Sequence, residues 1–482
     1  MIRQGLYQAD DVKNQGEKMK VLLIAPTSGR WKEAAMAKLF NGKTFRFSLL
    51  SLLSVAAETP KDVKVRIVDE QAENIPWHEH FDLVGITCMT ALAPKAYEIA
   101  LEFRRKDIPV VLGGMHPTLS PEDASQHADA IVVGDAEGTW KEVISDARKG
   151  MLKKIYRNKE LPDLTGLKSV PRHLLDRGSY STINAVQATR GCPNACEFCS
   201  VTAFHKQTQR QRPVDEVIAE ISQIPDKFFI FVDDNLTADT EYAGRLFKAL
   251  APLNKFWASQ STVAIAEDPN LVRLAAQSGC VGLFVGIETF NKANLKGVGK
   301  TCNRVEKYRE AIHLFHSCGI AVEAGIVFGF DNDRQEVFQN TLNILDELEV
   351  DVIQASIFTP LPGTTRFANM QERIIDRDWA HYDFHSVVFE PKHMPAVDLQ
   401  AGHDWVTREF YKPWRIARRL WRHAKRPRSL AAFPYLAAVN MAYYGRVVNW
   451  HIRGFNPVTK LETPNEISGH DKGELLVPVH IN

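Results

Sequence analysis

Three cysteines set three and then two residues apart, in Arg190-Gly191-Cys192-Pro193-Asn194-Ala195-Cys196-Glu197-Phe198-Cys199, constrain this chain more than any other feature. Thiolates at that spacing wrap a short loop around one metal centre. A structural zinc needs a fourth Cys or His close by, and none stands there. A [4Fe-4S] cluster has four irons, so three thiolates leave one iron open to a small molecule. An open iron implies chemistry. A zinc knuckle or three unrelated thiols is the alternative, and the spacing meets it poorly.

The surrounding pattern predicts where such a loop sits. An apolar run at 183–188 precedes it, and strand-length runs follow at 228–232, 256–261, 282–288, 322–328 and 352–359. Stretches with apolar residues at helical spacing separate them, at 214–224, 242–250, 270–277, 304–315 and 335–348. The expected fold over 180–375 is a partial (β/α)6 barrel of the TIM type, with its site at the carboxyl ends of the strands. Polar groups cluster at those ends: Asp233-Asp234-Asn235, Gly286-Ile287-Glu288, Gly325 to Asp331, and Thr359 to Thr364. Paired acids there suit an ammonium group. Capping of the next turn is the alternative for Asp234 or Asn235.

Upstream, apolar runs at 21–25, 65–68, 83–87, 110–112 and 130–133, with a helical stretch at 93–105, predict a Rossmann-like doubly wound parallel sheet over 19–150. The chain is therefore expected to be α/β. Its strand ends carry Pro26-Thr27-Ser28-Gly29, Thr87-Cys88-Met89-Thr90, Gly113-Gly114-Met115-His116-Pro117-Thr118 and Gly134-Asp135-Ala136-Glu137-Gly138. Small residues there let backbone approach a large flat or phosphorylated ligand.

The cysteine loop, with Phe198 ahead of its last cysteine, resembles that of the radical S-adenosylmethionine (SAM) enzymes. With the N-terminal strand ends added, the chain resembles the class B members, which carry an N-terminal cobalamin (B12)-binding domain. The resemblance implies that Cys192, Cys196 and Cys199 ligate the cluster, and that SAM on the open iron is cleaved to a 5′-deoxyadenosyl radical. It implies that Asp233 and Asp234 receive the SAM amino group, Glu288 its ribose hydroxyls and Gly325 its adenine, with Phe198 beside the cofactor. For cobalamin it implies Thr87, Met89, Gly113, Gly114, His116, Gly134 and Glu137. No D-x-H-x-x-G motif supplies a lower axial histidine, which class B members commonly lack. A Rossmann-like domain that holds no corrin and covers the barrel mouth stays open.

The activity implied is cobalamin-dependent methylation of an unactivated carbon in a large apolar substrate, a lipid or a tetrapyrrole. Neighbours of this architecture act on hopanoid lipids, tetrapyrroles, antibiotics and phosphinates. Radical oxidative cyclisation or carbon-carbon coupling without methyl transfer is the alternative. Outside enzymes, a corrinoid or iron-sulfur sensor would not need the SAM-binding strand ends. A tRNA methylthiotransferase is disfavoured, because that family places three cluster cysteines in its N-terminal domain, where only Cys88 occurs. A reductase, flavodoxin or ferredoxin is the expected electron donor. No side chain is singled out as the catalytic group.

Composition narrows partners and compartment. Lys+Arg 59 against Asp+Glu 58 gives a net charge of +1, without bulk bias towards nucleic acid. Seven cysteines in this arrangement are no disulfide framework, so a reducing, cytoplasmic compartment is expected. Cys280, Cys302 and Cys318 are too scattered for a second cluster and read as buried free thiols. The leader 1–20 is polar and lacks a secretory apolar core. No apolar run reaches membrane-spanning length.

The last segment, 376–482, is expected to be mainly helical. Arg408, Lys412, Arg415, Arg418, Arg419, Arg422, Lys425, Arg426 and Arg428 interleave with Phe410, Tyr411, Trp414 and Trp421, ahead of an apolar stretch at 430–444 interrupted by Pro434 and Asn440 and followed by Trp450 and Arg453. That pattern suits an interfacial anchor on anionic lipid, at the inner face of a membrane. A solvated helix face packing its aromatics on the barrel is the alternative, and RNA ranks last. The tail from 462 reads as irregular.

Overall fold

The computed structural model describes residues 18–28, 49–180, 184–426 and 430–452. The polar leader up to residue 17, the tail from 462, Gly29 and the basic residues Arg428 and Arg453 lie outside the described residues.

The first sheet is built from short Val/Ile/Leu runs: β1 Lys20–Ala25, β2 Lys64–Asp69, β3 Leu83–Thr87, β4 Val110–Gly113, β5 Ala130–Val133 and β6 Ile155–Arg157. Its order is β2-β1-β3-β4-β5-β6 and every pairing is parallel. Alternation sends Leu22 and Ile24 to one core and Val21 and Leu23 to the other. Helix Ala93–Arg104 joins the first through Ala96, Ile99, Ala100 and Phe103. Helices Leu50–Glu58 and Trp140–Arg148 join the second through Leu52, Leu53, Trp140 and Val143. Two covered faces make the sheet doubly wound. Strand order reverses beside β1, which opens a crevice at the carboxyl ends.

The second sheet is a partial barrel: β7 Ala185–Val186, β10 Phe228–Phe231, β11 Phe256–Ser261, β12 Cys280–Glu288, β13 Ala321–Phe328 and β14 Val352–Ile357, parallel throughout and side by side in chain order. Trp257, Phe229, Phe231 and Phe247 anchor its core, each aromatic contributing about 2 to 3 kcal/mol by leaving water. The first strand is shorter than the apolar run predicts. After Val186 the chain leaves the sheet, and β8 Thr189–Gly191 pairs antiparallel with β9 Gln209–Gln211. This bracket holds the cysteine loop between its arms. Gly191 closes it at φ +87°, where a Cβ would sit 2.2 Å from the Thr208 carbonyl oxygen.

The C-terminal segment forms helices Ala396–Phe410, Pro413–Ala424 and Phe433–Ile452. Pro434 and Asn440, which interrupt the apolar stretch in sequence, both lie within the last helix. Pro434 falls in the first turn, where a missing N–H costs nothing. Asn440 is fully buried, accepting from Arg419 at 2.9 Å and donating to the Asp351 carbonyl at 3.3 Å. With Leu436 and Val439 in the barrel core, the last helix is a packed element, not a loose apolar flap. No helix among the described residues is long and apolar enough to cross a membrane.

Candidate functional site: the cysteine loop and the cavity beside it

The cysteine loop is clasped by the turn that follows helix Lys292–Gly297. Glu197 N–H donates to the Val298 carbonyl at 3.1 Å, and Gly299 lies so close to the Ala195 carbonyl oxygen that a Cβ would stand 3.1 Å away. Asn194 Nδ2 donates to Cys302 Sγ at 3.6 Å, and Asn235 Nδ2 to Cys192 Sγ at 3.6 Å. Burial pushes the Cys196 thiol up to about 12 and raises Cys199. Thiolates are disfavoured there unless cations stand beside them, and irons would be those cations. Three cysteine thiols on one short loop are the donor chemistry an iron-sulfur cluster takes, although among the described residues no three ligating side chains are drawn together around one point. Cys302 corrects the expectation of a buried thiol: it is half-buried beside the loop, whereas Cys280 and Cys318 are buried.

Lys300 is the cation built into this region. Its Nζ lies 2.8 Å from Glu288 Oε1. Burial works most strongly, against its charged form, but the Glu288 carboxylate together with the sulfurs of Cys196 and Cys302 outweighs it and holds the pKa above the usual lysine range. Glu288 ends β12 at φ +64°, a left-handed conformation that costs a non-glycine residue about 1 to 3 kcal/mol. Gly286 leaves room for the pair, since a Cβ there would meet Glu288 Oε1 at 2.4 Å.

The expected pair of acids splits. Asp234 lines the cavity, and its Oδ2 accepts the Gly191 N–H at 2.8 Å. Asp233 is sealed inside and absent from the cavity lining, which corrects the expectation that it receives the SAM amino group. It is 0% exposed, and it accepts from Ala188 N–H at 3.1 Å, Thr189 Oγ1 at 2.8 Å and the Thr189 N–H. Burial pushes it up to about 7 in spite of those bonds. It fixes the turn between β7 and β8. Gly325 gives its space to Phe284, whose Cζ would lie 2.8 Å from a Cβ there. Phe198 packs against Phe330 and Phe358, at ring-centroid distances of 6.3 and 6.1 Å.

A cavity of about 620 Å³ opens next to the loop, lined from both sheets. The first sheet contributes Thr87, Gly113, Gly114, Gly134, Asp135 and Glu137; the barrel contributes Gln187, Asp234, Phe231, Ser259 and Phe284. Gly114 and Gly134 have φ of +100° and +88°, and a Cβ on Gly134 would meet nothing within 4 Å. Such a glycine-lined cradle over apolar Leu23, Val111 and Val132 fits a large flat group.

Two of the residues expected at cobalamin are elsewhere. Met89 is 58% exposed and outside the cavity lining. His116 is fully buried, with Nδ1 3.3 Å from Thr90 Oγ1 and Nε2 3.0 Å from both Tyr97 OH and Asp123 Oδ2. Its ring is spent on internal bonds, so it serves the fold. The chain's D-x-H triplet, Asp383-Phe384-His385, lies after the barrel and outside the cavity lining, and it lacks the glycine of the axial motif.

Glu137 is on the cavity wall but its carboxylate is also engaged. Arg190 Nη2 lies 2.7 Å from Glu137 Oε1, Arg190 Nη1 3.0 Å from Asp135 Oδ1, and Arg210 Nη2 2.8 Å from Asp135 Oδ2. Both arms of the bracket around the cysteine loop are thus tied to the turn after β5. Sequence reading missed Arg190, although it stands next to the loop and opposite in charge to the two acids of the Gly134 turn. It also missed His205 and Glu323, which line the cavity, and Lys300, the partner of Glu288, none of which a local pattern marks.

A Rossmann-like sheet facing a partial barrel with a three-thiol loop is the architecture of a radical SAM enzyme with a corrin-binding domain. Residues 186–342 match the Radical SAM superfamily and residues 56–144 the B12 binding domain. The chain is 30% identical over 383 residues to bacteriochlorophyllide d C-12(1)-methyltransferase of Chlorobaculum tepidum, spanning 77% of this chain and 84% of that one. It is 25% identical to the hopanoid C-2 methylase of Rhodopseudomonas palustris, over 66% of this chain and 63% of that one. In fold it is similar to the radical S-adenosylmethionine methyltransferase TsrM of Kitasatospora setae, solved with cobalamin and a [4Fe-4S] cluster bound. The TM-score is 0.58 at 17% identity, covering 74% of this chain and 78% of that one. The chain belongs to the class B radical SAM enzymes, with cluster, SAM and cobalamin as its cofactors.

Proposed function

We propose that the protein methylates an unactivated carbon of a tetrapyrrole, using cobalamin as the methyl carrier. The observation that carries this reading is the shared cavity, whose wall comes half from the corrin-type sheet and half from the barrel. When bound, the cluster and SAM supply a hydrogen-abstracting radical, and the corrinoid supplies a methyl group. The chain's own residues hold and orient. Cys192, Cys196 and Cys199 ligate the cluster, Asp234 and Glu288 receive the SAM ammonium and ribose hydroxyls, and Thr87, Gly113, Gly114 and Gly134 admit the corrin. Phe231 and Phe284 keep water from the reacting carbon.

The tetrapyrrole is favoured over a lipid because the relative acting on a bacteriochlorophyllide is matched at higher identity and over more of its length than the hopanoid methylase. A flavodoxin- or ferredoxin-type protein would deliver the electron. The test uses the full chain, produced with cobalamin and cluster-reconstituted without oxygen, given SAM deuterated at its methyl group, a reductant and a bacteriochlorophyllide. A trideuteromethyl group on the tetrapyrrole is the expected product. SAM cleavage with an unlabelled cyclised or coupled product would overturn methyl transfer in favour of the cyclase reading.

The exposed face of helix Pro413–Ala424 bears on where such a substrate is met. Trp414 and Trp421 are 55% and 60% exposed, one heptad apart, beside Arg418 and Lys425, with the Lys425 ammonium 3.5 Å from the Trp421 ring centroid. Aromatic rings amid cations suit the headgroup layer of anionic lipid, where apolar substrates partition. Co-sedimentation with phosphatidylglycerol vesicles should fall several-fold in W414S/W421S. Equal binding by variant and wild type would remove the lipid surface from the proposal.

A further inference from the structure

The amino ends of the barrel strands carry a buried acid that the reading above leaves unused. Glu323, the third residue of β13, is 5% exposed and lines the cavity. Its Oε1 accepts from the Tyr443 hydroxyl at 2.7 Å, and that hydroxyl lies 3.4 Å from Gln354 Oε1. Among the described residues Glu323 has no ion-pair partner, and the one hydrogen bond it accepts is that of Tyr443 on Oε1, which leaves Oε2 for a ligand. Tyr443 is held in place, stacked on Tyr411 at 5.4 Å and 13°, with Arg446 5.4 Å from its ring centroid. Tyr435 completes this floor and also lines the cavity. It seats against Gly282, where a Cβ would lie 2.2 Å from its Cε1.

Burial raises the carboxyl's pKa, against the pull of the Tyr443 hydrogen bond and Arg446. An acid in such a place costs stability that an apolar residue would not, so its presence calls for a use. Distance separates that use from the cofactors. Phe328, the strand's carboxyl end, is five residue steps on from Glu323 along β13, about 16 Å at the rise of an extended chain. SAM held beside the cysteine loop would have its polar groups at that end.

We infer that Glu323, Tyr443, Gln354 and Tyr435 form a subsite for the end of the substrate remote from the reacting carbon, and that it takes a neutral hydrogen-bond donor, a hydroxyl or N–H group. Oε2 offers the acceptor, while a ligand carboxylate would meet like charge. The inference rests on the substrate being a large apolar molecule, as proposed above.

The test is equilibrium binding to the enzyme loaded with cluster and cobalamin, read by fluorescence of two zinc chlorins that differ only in a peripheral hydroxyethyl or ethyl group. Wild type is expected to prefer the hydroxylated chlorin by about tenfold, the worth of one buried hydrogen bond. E323L should lose that preference while keeping its affinity for the ethyl chlorin, and E323Q, which retains an acceptor, should keep most of it. E323M serves if E323L fails to take up corrinoid. Equal binding of both chlorins by wild type, or an undiminished preference in E323L, would overturn the subsite. Binding of neither chlorin would sink the tetrapyrrole reading instead. The floor is then decided by the same comparison with a hydroxylated hopanoid and its hydrocarbon parent, where no preference overturns it.

Discussion

Replacing Cys196 by alanine should leave a folded protein without a cluster and without SAM cleavage. Cys196 sits at the middle of the loop, 5% exposed. The loop's path does not depend on its thiol, because the clasp from Val298 and Gly299 and the Cys199 N–H to the Cys196 carbonyl, at 3.1 Å, are backbone contacts. Two thiolates cannot hold four irons, so iron and sulfide should fall to background, along with the electron paramagnetic resonance signal of the reduced cluster and formation of 5′-deoxyadenosine. Corrinoid content should persist, since the first sheet is untouched. C302A is the informative companion. Cys302 is tied to the loop through Asn194 but lies outside the three-thiol spacing, so the cluster should survive its loss. A wild-type cluster in C196A, or a missing one in C302A, would rewrite the ligand set.

The second large effect concerns the tie between the two sheets. R190M should lower stability by about 3 to 5 kcal/mol, because it strands Glu137 without its cation in a mostly buried place. Asp135 suffers less, since Arg210 remains at 2.8 Å. The double variant R190M/E137Q should recover much of the loss, as removing both partners costs less than removing one. Thermal unfolding of the loaded protein reads the effect, and corrinoid should be released at a lower temperature in R190M. An unchanged midpoint would mean that the pair is merely neighbourly. The metal ligands are not altered, so a cluster signal that broadens in R190M would indicate that the bracket transmits the tie to the loop.

Much of the fold was legible because the strands are buried on both faces and spell themselves as short apolar runs. The runs at 21–25 and 83–87 became β1 and β3 with those bounds within a residue. The bracket of β8 and β9 was not legible, since Gln209, Arg210 and Gln211 have no apolar alternation and pair only because the loop between them needs closing. At the candidate site, the glycines and small residues singled out at the first sheet's strand ends, Thr87, Gly113, Gly114 and Gly134, line the cavity wall. Polar residues misled where a strand end needs an internal anchor. Asp233 and His116 look like ligand groups in sequence, yet each is consumed by nearby hydrogen-bond partners. Glu323 went unseen for the opposite reason. It lies inside an apolar strand, and only the distant Tyr443 and Gly282-seated Tyr435 give it a setting.

The seating of Tyr435 against Gly282 bears on the order in which the molecule comes into being. One wall of the lumen is laid down by strands that begin at Lys20, whereas its floor waits for a ring at position 435. During synthesis the cysteine loop emerges long before the helix that shuts the barrel's narrow end. An oxygen-sensitive cluster assembled on that loop early would sit in an open tube. The floor that shelters it is added only after every strand of both sheets has been made, so closing the cavity comes later than presenting the thiols.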